Sequence, residues 1–422
     1  MRSRLRRLRR LLVDDGVLVA PVELCALIRE SGFRVERDSG GLLVARALAT
    51  PPGALAVASW GTPPGVALDL RYAPDEAELL ESEPITIWES LVESLPRGGA
   101  DVVAGYAVDD PYGGERGASV VGSYFGCTAL PGQVTFAAGV TSLLHDLCDL
   151  ADGGAVLAPE LVHGDLEAWA ALRGYEVRLL PEPATADALV AALRAARPAL
   201  LHLDRPTFTG GLLELDELRA VVEAAAEVSA PVVVDESAAP YLGGSGSAAT
   251  LVPTTEQLVV LRGFTKAYSL GGLRAGFAFA SDALAPRVRE LVAPLQVGEL
   301  ALQAALRLLE AGDVFAALRA RVRSRKPEVV RALEAAGLVV LPGLPVFPWV
   351  AVADPGGTAS RRLDGCGIRA LRPAPPPGAP AAARDVLRLT IPLSDERWEL
   401  FRRLLEGGRE QSARSRPETA TR

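Results

Sequence analysis

LRGFTKAYSLGGLRAGF, residues 261–277, is where the fold of this chain can first be read. The chain carries 44 basic residues, and all of them are arginine except Lys266 and Lys326. Lysines usually sit as solvated surface charges. Here one follows an apolar run, LVVLR (258–262), and precedes a glycine-rich turn. An amine drawn partly out of water has a lowered pKa and becomes a nucleophile, which a permanently charged guanidinium does not. Gly271, Gly272 and Gly276 let backbone approach a ligand closely, and Arg274 adds a fixed cation.

Outward from this stretch, short apolar runs alternate with helical patterns. The strand candidates are QVTFAA (133–138), AVLAP (155–159), EVRLL (176–180), ALLHL (199–203), PVVVD (231–235), LVVLR (258–262) and AGFAFA (275–280). Segments such as TSLLHDLCDLADG (141–153) and LLELDELRAVVEAAAEV (212–228) carry the helical period between them. Such alternation predicts an α/β fold, a mostly parallel sheet with helices on both faces. In such sheets ligands bind beyond the carboxyl ends of the strands. After residue 311 come a long helical stretch, DVFAALRARVRSRKPEVVRALEAAG, three strand-like segments (VVLPGLPVFPWVAVA, GIRALRP, DVLRLTI) and a last helix, DERWELFRRLLEGG. They predict a smaller α+β domain.

The strand ends carry the chemistry. Asp235 closes an all-apolar strand, where a carboxylate needs a cation or a capping role. In TFAAGVTSLL (135–144) a strand runs into Gly139 and then a helix start. Free N–H groups and the helix dipole make such a start a site for an anion. An amine, a buried carboxylate and an arginine-backed anion cradle are the set that pyridoxal phosphate demands.

TKAYSLGGLRAG resembles the lysine motif of fold-type-I, class I/II aminotransferases, especially the histidinol-phosphate aminotransferase-like group. The similarity spans roughly residues 100–405 with motifs in matching order. It implies the pyridoxal-phosphate fold type I and assigns roles. Lys266 holds the cofactor as a Schiff base, and Asp235, in VVVDES, faces the pyridine nitrogen. The phosphate falls to Gly139, Val140 and Thr141 of AAGVTS together with Thr265 and Arg274. His163, in LAPELVHGDLEAWAALRG, takes the position that stacks on the ring. Arg388, in LRLTI, binds the substrate α-carboxylate, and a bidentate pair would fix the amino acid's orientation. Tyr106 corresponds to a tyrosine that reaches the neighbouring subunit's cofactor, with Tyr112 the alternative; shared sites imply a homodimer.

Three positions depart from the family pattern. Thr207, in PTFTG, replaces the asparagine that bonds the cofactor's phenolic oxygen. Ala238 replaces a tyrosine with the same task, and a tyrosine appears only at Tyr241. Gly263 stands where a hydroxyl residue is common. The resemblance implies an aminotransferase acting on an amino acid and a keto acid in amino-acid metabolism. Two other readings stay open: decarboxylation, elimination or other Cα chemistry with the same cofactor, or a non-catalytic cofactor- or partner-binding protein.

Net charge is −8, which disfavours a nucleic-acid partner. Without an 18-residue apolar run, no membrane-spanning helix is expected. Asp14 and Asp15 interrupt any signal-peptide core after the arginine-rich opening MRSRLRRLRR, and four scattered cysteines suit a reducing cytoplasm. Three histidines show no metal-ligand spacing. Near the start, PVELCALIRESG (21–32) predicts a helix, and FRVER and LLVAR flank a DSGG turn as a hairpin. Residues 21–47 resemble the small docking domains of nonribosomal-peptide assembly lines, which implies an assembly-line partner; packing against the main body is the other reading. The expected organisation is a helix–hairpin and linker extension over 1–66, an arm and large cofactor-binding domain over 67–310, a small C-terminal domain over 311–408 and a disordered tail over 409–422.

Overall fold

A computed structural model of the chain describes residues 33–37, 43–47, 66–80 and 107–414, with a few positions between 87 and 93. The helix expected over 21–32 and the site candidate Tyr106 lie outside these residues. The chain divides into two units, Met1–Gly61 and Thr62–Arg422. In the first, β1 (Phe33–Arg37) pairs antiparallel with β2 (Leu43–Ala47), the hairpin expected around DSGG.

In the second unit, β3 (Leu68–Asp69) precedes a seven-stranded sheet made of β4 (Val134–Ala137), β5 (Val156–Pro159), β6 (Val177–Leu180), β7 (Leu200–Asp204), β8 (Val232–Asp235), β9 (Leu258–Gly263) and β10 (Gly276–Ala280). Its order is β4-β10-β9-β8-β7-β5-β6, and β10 alone runs antiparallel to its neighbours. Every strand of this sheet coincides with a run that the sequence proposed. The reason is burial on both faces: all four residues of β8 are buried, which selects continuous Val runs over alternation.

Helices cover both faces. Helix Leu215–Glu227 starts at a capping box between Glu214 and Glu217 and buries Leu218, Val221, Val222 and Ala225. Strand parity then sorts the sheet's side chains. Leu201, Leu203, Val232, Val234, Leu258 and Val260 join one core. Leu200, Val233, Val259 and Leu261 join the other, with Leu143, Leu144 and Leu166 from helices Val140–Leu147 and Asp165–Leu172. Side chains two apart on a strand share a face. His202, Asp204 and Asp235 therefore lie on the second face, whereas Arg205, Glu236 and Arg262 fall on the first.

The C-terminal part holds helix Ala316–Ala335 and an antiparallel sheet of β11 (Val340–Leu341), β12 (Trp349–Ala353) and β14 (Val386–Thr390). VVLPGLPVFPWVAVA is thus two strands rather than one, because Pro342, Gly343, Pro345 and Pro348 interrupt it. The chain's second lysine clamps that interruption: Lys326 Nζ donates to the carbonyls of Leu344 at 2.6 Å and Phe347 at 3.1 Å. GIRALRP supplies only β13 (Ile368–Arg369), which pairs in parallel with β3. Residues 68–69 consequently join the C-terminal part and not the large sheet. The last helix, Asp395–Arg414, continues past residue 409, where the sequence reading began a disordered tail.

Candidate functional site

The six parallel strands end at one edge of the sheet, and β10 begins there, since Gly276 lies opposite both Ala137 and Gly263. Each motif follows one of these ends. Gly139 leaves β4 with φ +91°, in the left-handed region that suits glycine, and caps helix Val140–Leu147. Arg274 reaches this helix start from the turn just before β10. A Cβ built at Gly139 would stand 2.7 Å from Arg274 Nη2, so glycine is what admits the guanidinium. Arg274 Nη1 also donates to Thr265 Oγ1 at 3.3 Å. Ser142 is committed elsewhere, donating to Gln296 Oε1 at 2.7 Å, which leaves the exposed Thr141 beside the cradle. Free N–H groups of the first helical turn, a guanidinium and a hydroxyl make a donor set that fits a phosphate.

The absent hydroxyl at Gly263 has a packing reason. A Cβ there would lie 3.0 Å from Val140 Cγ2, and one at Gly276 would lie 3.0 Å from Val140 N. Both glycines let the helix start lie tight on the sheet.

Lys266 Nζ donates to Ser237 Oγ at 2.9 Å. The side chain opens to the cleft, yet protein crowds it: desolvation is the main influence lowering its ammonium pKa, and Arg388 acts the same way. Asp235, Asp204 and Asp165 oppose this pull. Water in the open cleft moderates the shift. A lowered pKa leaves more of this amine in its neutral form, the form that can act as a nucleophile.

Asp235 accepts from the backbone N–H of Ser237 at 2.6 Å through Oδ1. Its Oδ2 has no hydrogen-bond partner among the described residues. Asp204 lies in register beside it, an acid the sequence reading passed over. Burial, and next the charge of Asp235, push the Asp204 carboxyl up to about 6. Asp204 Oδ2 accepts from the backbone N–H of His163 at 2.8 Å, which fixes the chain where the exposed His163 ring sits. A protonated ring nitrogen fits against this acidic pair.

Thr207 does not project a free hydroxyl. Its Oγ1 accepts from Gly211 N at 3.0 Å and lies 3.2 Å from Thr209 Oγ1, closing its own turn. Tyr241 does not replace the missing tyrosine either. It is buried, and its hydroxyl donates to Glu76 Oε2 at 2.6 Å. Tyr112, the alternative to Tyr106, donates to the Arg289 carbonyl at 2.9 Å.

Arg388 stands on β14 between two aromatic rings, with its guanidinium carbon 5.0 Å from the Phe208 centroid and 5.1 Å from that of Trp349. Stacking holds both faces of the fork and leaves its N–H edge for a carboxylate. Desolvation lowers its pKa. Phe208 and Ser237, which touch Arg388 and Lys266, are the other residues of the candidate site that the sequence reading missed. Ser237 was findable, since it shares Asp235's parity just past the strand end. Phe208 was not, because its partner lies 180 residues away in the chain. Among the described residues, no group of three or more His, Cys, Asp or Glu is arranged to hold a metal ion.

Glu76 is another buried acid of this neighbourhood. Burial is the largest influence on its carboxyl, which rises to about 8, while Tyr241's hydrogen bond pulls the other way. A folded-state pKa raised from 4.5 to about 8 makes this group stabilising at low pH, with that stability lost as pH climbs through the interval. Glu76→Gln should therefore flatten the fall in melting temperature across that window, an effect on the order of a few kcal/mol. Thermal melts of both proteins at matched pH values test this; parallel curves would contradict it.

Comparison with known proteins gives a consistent picture. The model of the aminotransferase class I and II family matches residues 123–395. The histidinol-phosphate aminotransferase of Methylibium petroleiphilum is 30% identical over 268 residues, covering 62% of this chain and 70% of that protein. An aromatic amino acid aminotransferase of Cutibacterium acnes is 33% identical over 186 residues, 42% of this chain and about half (52%) of that protein. The crystal structure of histidinol-phosphate aminotransferase from Sinorhizobium meliloti, in complex with pyridoxal-5'-phosphate, aligns with a TM-score of 0.63 at 19% identity, covering 82% of this chain and 92% of that one. At that identity the likeness is one of fold.

Proposed function

The chain belongs to the aminotransferase class I and II family, whose chemistry runs on pyridoxal phosphate, and from that premise we propose that it moves the amino group of an amino acid or related amine to a keto acid, with Lys266 as the catalytic amine. One observation carries the proposal: a desolvated lysine, an aspartate and a glycine-gated arginine cradle converge at one edge of one sheet.

The backbone of Gly139, Val140 and Thr141, with Thr265 and Arg274, would hold the phosphate, Asp235 the ring nitrogen and His163 the ring face. Pyridoxal phosphate, when bound, supplies an aldehyde that takes an amine and a ring that draws electrons from the substrate carbon. Everything else falls to the chain. Arg388 grips the α-carboxylate in two parallel hydrogen bonds and so sets which bond of the α-carbon faces the ring. Lys266 Nζ takes the proton from the α-carbon of the amino donor and later gives one to the α-carbon of the amino acid formed from the keto acid, its lowered pKa suiting it to both tasks. Ser237 Oγ offers the amine a resting hydrogen bond. Membership of this family also supports a homodimer. Among the described residues no helix is long and apolar enough to cross a membrane, and a cytoplasmic setting in amino-acid metabolism is part of the proposal.

Mass spectrometry after incubating the holoprotein with pooled amino acids and a keto acid tests the reaction. Transfer of the amino group is expected, and loss of carbon dioxide would overturn it in favour of a decarboxylase. In the same assay Arg388→Lys should raise KM for both substrates ~10- to 100-fold, since an ammonium neither forks nor stacks as a guanidinium does. An unchanged KM would remove Arg388 from the carboxylate.

A further inference from the structure

Glu167 and His202 are fully buried on the face of the sheet that carries the site, and neither has a task there so far. Glu167 Oε1 and His202 Nδ1 stand 2.7 Å apart. Each keeps one buried atom with no hydrogen-bond partner, Glu167 Oε2 and His202 Nε2, and Asp204 keeps another, Oδ1. Buried polar atoms are rarely left so, and three in one patch call for an explanation. Strand geometry supplies their arrangement. His202 lies two residues before Asp204 on β7, hence on the same face, and Asp204 is in register with Asp235.

Two carboxylates side by side repel, and burial sharpens the repulsion. An imidazole that gives Nδ1–H to a glutamate turns its other N–H away from that glutamate, so the pair is an oriented dipole with its positive end outward. Both strand-end acids favour the charged imidazole: although burial works against it, Glu167, Asp204 and Asp235 together hold the His202 pKa up at about 9. Other titratable groups around the unit are Lys266, which feels the charges of Asp235, Asp204 and Asp165, His163 just ahead of the helix that Asp165 opens, and Cys148, which feels the charge of Glu167.

We propose that Glu167 and His202 are positioning residues for the acidic pair, presenting the positive end of a buried ion pair to Asp204 and Asp235 so that Asp235 is held directed at the cofactor's ring nitrogen. The proposal rests on the pyridoxal-phosphate reading above. It makes the ring-nitrogen end of the site a four-residue unit, in which Asp204 also fixes the backbone at His163.

The test compares wild type, His202→Gln and Glu167→Gln, each with pyridoxal phosphate and with the analogue whose ring nitrogen is replaced by CH. Both variants should bind pyridoxal phosphate about tenfold more weakly and shift the pH titration of its visible band, one pKa unit being a tenfold change. All three proteins should bind the carbon analogue alike. A variant that melts earlier but keeps the wild-type affinity and band titration would overturn the proposal, as would an equal loss of affinity for the analogue. Wild type that binds no pyridoxal phosphate would overturn the cofactor reading beneath it. Glu167→Gln, which keeps size and shape, gives the same readouts if His202→Gln does not fold.

Discussion

Lys266→Arg leaves a folded protein whose kcat is down by at least about 10⁴, the upper range for removing a positioned acid–base and nucleophilic group. The substitution keeps a long cation at the end of β9, so packing around Phe264 and Ala267, both buried, is unaltered. What it removes is the neutral form. Desolvation and Arg388 favour an uncharged amine at this position, whereas a guanidinium stays protonated throughout the accessible pH range. The variant should also lose the visible absorption that marks a lysine-bound cofactor, while still taking up pyridoxal phosphate through the Gly139–Arg274 cradle. Steady-state rates and spectra on the same preparation read both effects. Residual activity above about one per cent would sink the assignment of Lys266 as the reacting amine.

The largest structural effect should come from the opposite face. Glu236, fully buried, accepts from Arg205 Nη1 at 2.7 Å, from Arg262 Nη1 at 3.1 Å and from Ala248 N at 2.8 Å, and Ser247 Oγ donates to it as well. Arg205 follows β7, Glu236 follows β8 and Arg262 is next to last in β9, so one carboxylate ties three neighbouring strand ends. Glu236→Gln preserves the shape and strips the charge, leaving two buried guanidiniums uncompensated. Breaking a buried pair in this way costs about 3–5 kcal/mol, and the melting temperature should fall on the order of 5–10 °C. Adding Arg262→Met should recover part of the loss, because one stranded charge disappears. A melting point unchanged by Glu236→Gln would mean that water reaches this cluster after all.

These two sites differ in how far the sequence exposed them. Lys266, Arg274, Gly139 and Asp235 were legible because each lies within a few residues of a strand end, and an apolar run marks where a strand ends. The acidic pair was not. Asp204 and Asp235 are 31 residues apart in the chain and become neighbours only because β7 and β8 pair, a fact of strand order. Sandwiching of Arg388 depends likewise on how β12 and β14 meet the Thr207 turn. The two-residue strand Leu68–Asp69 carries no period at all, so nothing announced its pairing with Ile368–Arg369. Departures at Thr207 and Ala238 were visible, but not their outcome. The threonine's hydroxyl is consumed by its own turn, and the nearby tyrosine serves Glu76. Fold alone does not select a reaction, and these two positions are where the site's own chemistry departs from its family's pattern.

Scarcity of lysine has a practical side. Of the chain's two ε-amines, Lys326 is occupied by two carbonyls and buried against the loop before β12, whereas Lys266 opens to the cleft. An acylating reagent therefore meets, among side chains, a single reactive amine, and that amine is the one a bound cofactor would mask. The composition of the protein makes side-chain amine labelling, read at the Lys266 peptide apart from the α-amine, a direct gauge of how much of the enzyme is loaded.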